Sequence, residues 1–268
     1  ERGRVVGAAQ GGVVIGLLLA RTLAGAVADL WGWRAVYVVS AALSAVLAVV
    51  LARRLPQRRL PAVDLRYWAL LRSLYGLLAT ERVLRVRGMI ALLMFAAFSA
   101  FWTALVLPLS APPYSLTHSA VGAFGLVGVA GVLMATRAGR LADSGQGERT
   151  TAVGLALLCL AWVPIAFLEH SLWLLALGVL VLDIALQALH VTNQTMIFSV
   201  NPQAHSRLVG GYMMFYAVGS GLGSIASTVV YALAGWVGVC LLGAGISVVA
   251  LVFWAVTVPR GERVLVGS

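Results

Sequence analysis

The sequence has no lysine and little charge of any kind. Its 19 basic residues are all arginines and it has 9 carboxylates, so charged residues make up 10% of 268 positions, against about a quarter in an ordinary soluble domain. With 61% hydrophobic residues, the chain lacks the polar groups needed to cover a water-facing surface, which excludes a soluble globular protein. The only 2 cysteines, Cys159 and Cys240, lie inside apolar runs, where a thiol behaves as a small hydrophobe. A disulfide framework is excluded, and no metal-ligand spacing occurs. A G-x-x-x-x-G-K-[ST] phosphate loop is missing, so direct ATP coupling has no support. The alternation of about 10 apolar and polar residues that marks a membrane β-strand is missing too. The opening "ERGRVVG" lacks methionine, and no signal-peptide pattern is expected there.

What the sequence does have is apolar length. A bilayer core needs about 20 consecutive apolar residues per helix, and that length recurs with polar punctuation between. Eight spans are expected: Val5–Ala28, Ala35–Ala52, Met89–Ala111, Ala120–Ala138, Thr151–Leu168, Leu172–Val200, Leu208–Leu233 and Val237–Val258. The expected class is an all-α integral membrane protein. A net charge of +10 would suggest nucleic acid in a soluble chain, but the placement of the arginines argues otherwise. With eight crossings, Arg2, Arg4, the cluster from Arg53 to Arg87, Arg137, Arg140, Arg149, Arg207, Arg260 and Arg263 fall on one side, and only Arg34 on the other. This is the positive-inside pattern. It places both termini in the cytoplasm and the protein in the inner (plasma) membrane, with no nucleic-acid partner.

The chain also repeats itself. A shift of 203 positions (207 minus 4) lays Arg4 on Arg207, Gly16 on Gly219, Leu30 on Leu233, Gly32 on Gly235, Trp33 on Trp236, Ser44 on Ser247 and Pro56 on Pro259 without a gap. Small residues superpose as well: Gly16, Ala20 and Ala24 meet Gly219, Gly223 and Ser227, a spacing that lets membrane helices approach backbone to backbone. Spans one and two are then counterparts of spans seven and eight. The same shift would place the partner of span three about 115 residues before Glu1. The expectation is a complete six-helix bundle at 89–260, preceded by a two-helix remnant of its partner at 1–56, with four N-terminal spans missing. Residues 57–88 read as a cytoplasmic interfacial linker, helical from Asp64 onward with Trp68, Leu71, Leu74, Tyr75 and Leu78 towards the membrane. Residues 261–268 read as a cytoplasmic tail.

A 6+6 helical repeat joined by a basic cytoplasmic loop resembles the major facilitator superfamily of secondary transporters, this chain covering helices five to twelve. "GRLADSGQGER" after the fourth span is similar to the superfamily's G-x-L-a-D-r-x-G-r-[RK] loop motif, with Gly139, Leu141, Asp143 and Gly145 matching and Ser144 departing. "GLLLARTLAG" sits where exporters carry G-x-x-x-G-P-x-x-G-G; Gly16 and Gly25 match, whereas Ala20, Arg21 and Ala24 replace Gly, Pro and Gly. The segment from Asn193 to Ser224 is similar to the tenth-to-eleventh helix region of drug and sugar efflux carriers. The resemblance implies movement of a small organic solute, most simply proton-coupled efflux by alternating access, with no cofactor and a monomer when full length. The partners are then the solute, protons and the lipid bilayer. A truncated remnant that transports nothing is the alternative.

One stretch, "VLVLDIALQALHVTNQ", carries the chemistry. An aspartate near mid-bilayer costs about 2.5–3.5 kcal/mol on insertion scales, and at about 100° per residue Gln187, His190 and Gln194 fall within roughly 40° of Asp183. The four form a stripe about 16 Å long, expected to line a cavity, with Asp183 binding substrate or taking up a proton and the others offering hydrogen bonds. A satisfied packing stripe is the structural alternative. Arg21, also inside a span, either pairs with a carboxylate or anionic substrate group or snorkels towards Asp29, about 12 Å along the axis. Gly139, Arg140, Asp143, Gly145 and Arg149 read as a conformational latch at cytoplasmic helix ends; Gly16, Ala20, Gly25, Gly219 and Gly223 read as helix-packing positions. Tyr212, Tyr216 and Trp102 read as packing aromatics that could also line a cavity. Gly122, Gly125, Gly128 and Gly131 recur every third residue as a close-packing face, and His118 and His170 fall in outer loops with no role assigned. Embedded-enzyme chemistry needs paired carboxylates or a nucleophile with its base, and Asp183 has no second intramembrane carboxylate.

Overall fold

The computed structural model describes residues 16, 19–20, 22–54, 67–128, 137–138, 141–200 and 205–257. Among them every regular element is helical. The elements are α1 (22–31), α2 (Trp33–Arg54), α3 (Tyr67–Thr80), α4 (Arg82–Ala104), α5 (Val106–Ser110), α6 (His118–Ala123) running into a 3-10 turn (Phe124–Gly128), a π turn (Ala142–Gln146), α7 (Gly147–Ala166), α8 (Leu172–Phe198) and α9 (His205–Thr257). Five described helices are long and apolar enough to cross a bilayer: Trp33–Arg54, Arg82–Ser110, Ser144–Ala166, Leu172–Phe198 and Ser206–Thr257. At about 1.5 Å per residue, α9 would be roughly 80 Å long if straight, more than twice a hydrocarbon core. It is instead two helices broken at Gly235, whose φ of 61° and ψ of −156° belong to a region that essentially only glycine enters. Gly32 breaks α1 from α2 in the same way, with φ of 80°.

Two compact units divide the chain, one of residues 1–72 with 110–126, the other of 73–109 with 127–268. In the first, α2 buries no side chain against the described protein. Such an apolar helix is suited to lipid on its exposed faces, because its backbone groups are paired internally. In the second unit, α4 packs along α9, α9 against α7, α7 along α8 and α8 against α4, closing a ring. Small residues set its closest seam. A Cβ added at Gly219 would stand 2.1 Å from the carbonyl oxygen of Leu92, and one at Gly223 2.1 Å from that of Ala96. With no hydrophobic drive between helices in lipid, this close backbone approach is what holds α9 to α4.

Aromatic residues fill the opposite end of the ring. Phe101 meets Trp162 and Trp236 edge-on, each at 6.2 Å between centroids. The indoles are not left with unpaired donors: Trp162 Nε1 donates to Ser247 Oγ at 3.0 Å and Trp236 Nε1 to the Ile165 carbonyl at 3.1 Å. The helix of the third span begins at Arg82, seven residues before the expected Met89 (89 minus 82). Apolar content sets where a helix enters lipid; the helix itself continues through the charged turn because Arg85 and Arg87 find partners there. The linker is helical over Tyr67–Thr80, close to the expected start at Asp64.

Candidate functional site

The longest continuous apolar helix with a polar face is α8. Ser171 caps it, its hydroxyl accepting from Trp173 N–H at 3.2 Å, and 27 residues of helix follow. Asp183 is buried, whereas Gln187, His190 and Gln194 are half-buried. All four lie on one face, and the second unit adds aromatic neighbours that periodicity alone does not reveal. His190 Nδ1 lies 2.8 Å from Tyr212 Oη on α9, and Gln194 Nε2 lies 3.3 Å from His190 Nε2. An amide nitrogen only donates, so with Gln194 in this orientation His190 Nε2 accepts. A neutral ring then carries its proton on Nδ1 and donates it to Tyr212.

Phe95 of α4 presses edge-on against the same imidazole at 5.3 Å and against Tyr216 at 4.2 Å. Three helices therefore fix one histidine: α8 carries it, α9 hydrogen-bonds it and α4 walls it. Tyr212 is fully buried, while Tyr216 is exposed. The arrangement offers a hydrogen-bonding imidazole and amide beside aromatic faces, with a carboxylate about two turns along the same helix. Such a surface can hold an organic solute by stacking and hydrogen bonds. Next to it, Thr192 and Asn193 are buried, and Asn193 Nδ2 reaches Met94 Sδ of α4 at 4.0 Å.

The loop motif occupies the π turn and the start of α7. Gly145 has φ of 83°, which explains a glycine there, and Ser144 Oγ donates to the Leu141 carbonyl at 2.9 Å. Arg149 is exposed. Gly139 and Arg140 lie outside the described residues, as does the side chain of Asp143, so their expected latch role rests on the resemblance. An ion pair that sequence reasoning did not single out stands beside this motif: Arg87, 2% exposed, pairs with Glu148. Arg87 Nη1 also donates to Thr151 Oγ1 at 2.7 Å, and Trp254 Nε1 donates to the second Glu148 oxygen at 2.8 Å. Helices α4, α7 and α9 are thereby tied at one end. The signal available beforehand was Glu148 in the first turn of α7, where a carboxylate is favoured by the helix dipole.

Among the remaining expected positions, Gly219 and Gly223 form the α4 seam and Gly25 abuts backbone, while a side chain at Gly16 would meet nothing within 4 Å and Ala20 is exposed. Arg21 lies outside the described residues. Gly122, Gly125 and Gly128 run into a 3-10 turn over Phe124–Gly128, whose three-residue period stacks every third residue on one edge. No group of three or more His, Cys, Asp or Glu side chains that could hold a metal is found among the described residues.

Comparison with known proteins fits this picture. The chain is 43% identical over 254 residues, 95% of its length, to the uncharacterized transporter YgaY of Escherichia coli strain K12, and equally to that of strain O157:H7. It is 34% identical over 270 residues, 98% of its length, to the protein named "Probable transporter SCO4007" from Streptomyces coelicolor. It spans 64% of the two former proteins and 60% of the latter. The family model of the Major Facilitator Superfamily matches residues 1–155 and again residues 89–267. With helices of membrane-spanning length, transporter relatives across its whole extent and these matches, the chain belongs to the Major Facilitator Superfamily.

Proposed function

We propose that the chain carries a small organic solute, drug- or sugar-like, out of the cell in exchange for protons, by alternating access in the inner membrane. The observation that carries this reading is the polar face of α8. Asp183, Gln187, His190 and Gln194 stand in register on a helix that is otherwise apolar, and an ionisable group at that depth is expensive unless it serves a substrate or proton path. Asp183 takes up the proton; Gln187, His190 and Gln194 hydrogen-bond the solute, with Tyr212 positioning His190 and the rings of Phe95 and Tyr216 as walls. Arg21 holds an anionic group, from a carboxylate side chain or from the solute.

Relatives named as transporters support solute transport rather than enzyme chemistry or a remnant without activity. The two-half architecture, with eight spans here and both termini cytoplasmic, draws support from two facts. The second family match begins at residue 89, where the six-helix bundle is expected to start. Gly32 and Gly235, 203 positions apart (235 minus 32), both break their helices with positive φ.

The test is transport in everted membrane vesicles from cells expressing the protein. An inside-acid pH gradient is imposed, and a panel of fluorescent organic cations and radiolabelled sugars is offered. At least one solute should accumulate inside and leave when a protonophore collapses the gradient. Failure of every solute to move, with or without the gradient, contradicts the reading.

A further inference from the structure

Thr22, Gly25 and Asp29 fall at intervals of three and four along one face of α1, and all three meet the segment that starts α6. Thr22 Oγ1 donates to the Gly122 carbonyl at 3.3 Å. A Cβ at Gly25 would stand 2.4 Å from the His118 carbonyl oxygen and 2.9 Å from Ser119 Cα, so backbone touches backbone there. Asp29 completes the seam. Its Oδ1 accepts from the His118 N–H at 3.0 Å and lies 2.7 Å from His118 Nδ1; its Oδ2 accepts from the Ser119 N–H at 2.8 Å and from Ser119 Oγ at 2.6 Å. A carboxylate only accepts, so Nδ1 must carry a proton, and this holds for a neutral or a charged ring.

Two N–H groups of the first turn of α6 are thereby satisfied by α1 rather than by their own segment. Asp29 takes the N–H groups of His118 and Ser119, Thr117 Oγ1 takes that of Ala120 at 3.2 Å, and the Thr117 carbonyl that of Val121 at 3.0 Å. The first three are N–H groups that a helix start leaves without intrahelical partners, and the bond from Val121 to the Thr117 carbonyl is the first of the helix itself. We propose that Asp29, with the Thr22–Gly25 seam, is a latch that ties the outer end of the first span to the outer start of the fourth and releases whenever the transport site faces outward.

The proposal rests on the transporter reading, in which these two ends belong to different halves of the repeat and lie on the outer side. The chemistry suits a contact that must open as well as close. The Asp29 and His118 side chains keep 25% and 60% of their surface in solvent. Water can therefore replace each bond on opening, so each contributes little net and the contact can open as readily as it closes. Gly25 supplies register by contact, with no deep apolar plug to extract. The hydrogen bonds from Ser119 and His118 hold the Asp29 carboxyl well below the usual carboxylate range, so the acceptor stays charged in neutral and mildly acidic surroundings.

The experiment reads opening without needing a substrate. In a background with Cys159 and Cys240 replaced by serine, Thr22→Cys is labelled from outside with a membrane-impermeant maleimide in spheroplasts, and Arg34→Cys serves as the outer-surface control. Asp29→Ala should raise the Thr22→Cys labelling rate about tenfold, which four weak bonds can supply, and leave Arg34→Cys unchanged. The His118→Ala/Ser119→Ala pair, which keeps the carboxylate, should give a smaller rise and covers the case in which Asp29→Ala does not accumulate. Labelling of Thr22→Cys that is the same in all variants overturns the latch, even if vesicles transport a solute. Labelling that responds to Asp29 in a protein that moves no solute overturns the transporter reading and leaves the seam in place.

Discussion

Tyr212 Oη lies 2.8 Å from Nδ1 of His190, and this one contact sets the ring orientation of the only histidine on the polar face of α8. Tyr212→Phe removes the phenol oxygen and leaves a buried ring nitrogen without its partner, a loss of about 1–3 kcal/mol. The variant should melt several degrees lower in detergent and transport several-fold more slowly. Unchanged melting and transport would mean that Tyr212 does not position His190.

The ion pair of Arg87 and Glu148 should behave as a unit. Arg87→Leu leaves Glu148 largely buried without its cation and should cost about 3 kcal/mol. Arg87→Leu/Glu148→Leu removes both charges and should recover most of that loss, although Trp254 forfeits its acceptor. A double variant no more stable than Arg87→Leu alone would show that the pair is not what ties α4 to α7.

The seam between α4 and α9 makes a position-specific prediction. Gly219→Ala and Gly223→Ala each drive a methyl into a backbone carbonyl, and overpacking of this kind costs about 1–3 kcal/mol. Gly221→Ala meets nothing within 4 Å and should be neutral or slightly stabilising, since alanine is the better helix former. Melting temperatures of the three variants read this directly, and equal losses at all three positions would refute the seam.

Much of this fold could be read from the sequence, and the reasons are local. Apolar runs of bilayer length fix α2, α4, α7, α8 and α9, and the turn requirement at Gly32 and Gly235 is written in single glycines. The polar face of α8 follows from helical period. Partners did not follow: Tyr212 is 22 residues from His190, Glu148 is 61 from Arg87, and His118, to which no role was assigned, is 89 from Asp29. Such pairs depend on which helices become neighbours, and that is decided by packing of small residues across the ring. Helical period places a residue on a face but does not name what the face meets.

Stability at low pH should carry the mark of Asp29. Its carboxyl is held below its usual value by Ser119 and His118, whereas an unfolded aspartate titrates near about 3.9. A depressed folded value means that the contribution is complete above the unfolded value and is lost as pH falls through the folded one. The melting difference between the wild type and Asp29→Asn should be constant from neutral pH down to about 5 and shrink below about 4. A difference that vanished between pH 7 and 5 would assign it to another group.

If the α8 stripe carries transport, the Asp183 carboxylate is the group whose loss matters most. In everted vesicles, the initial rate of solute uptake driven by an imposed pH gradient is compared for the wild type, Asp183→Asn and Asp183→Glu. Asp183→Asn should lose at least about tenfold of the gradient-driven rate, or about 1.4 kcal/mol, at unchanged protein level, while Asp183→Glu keeps a measurable part. A rate in Asp183→Asn equal to the wild type would contradict the account and leave the stripe as helix packing.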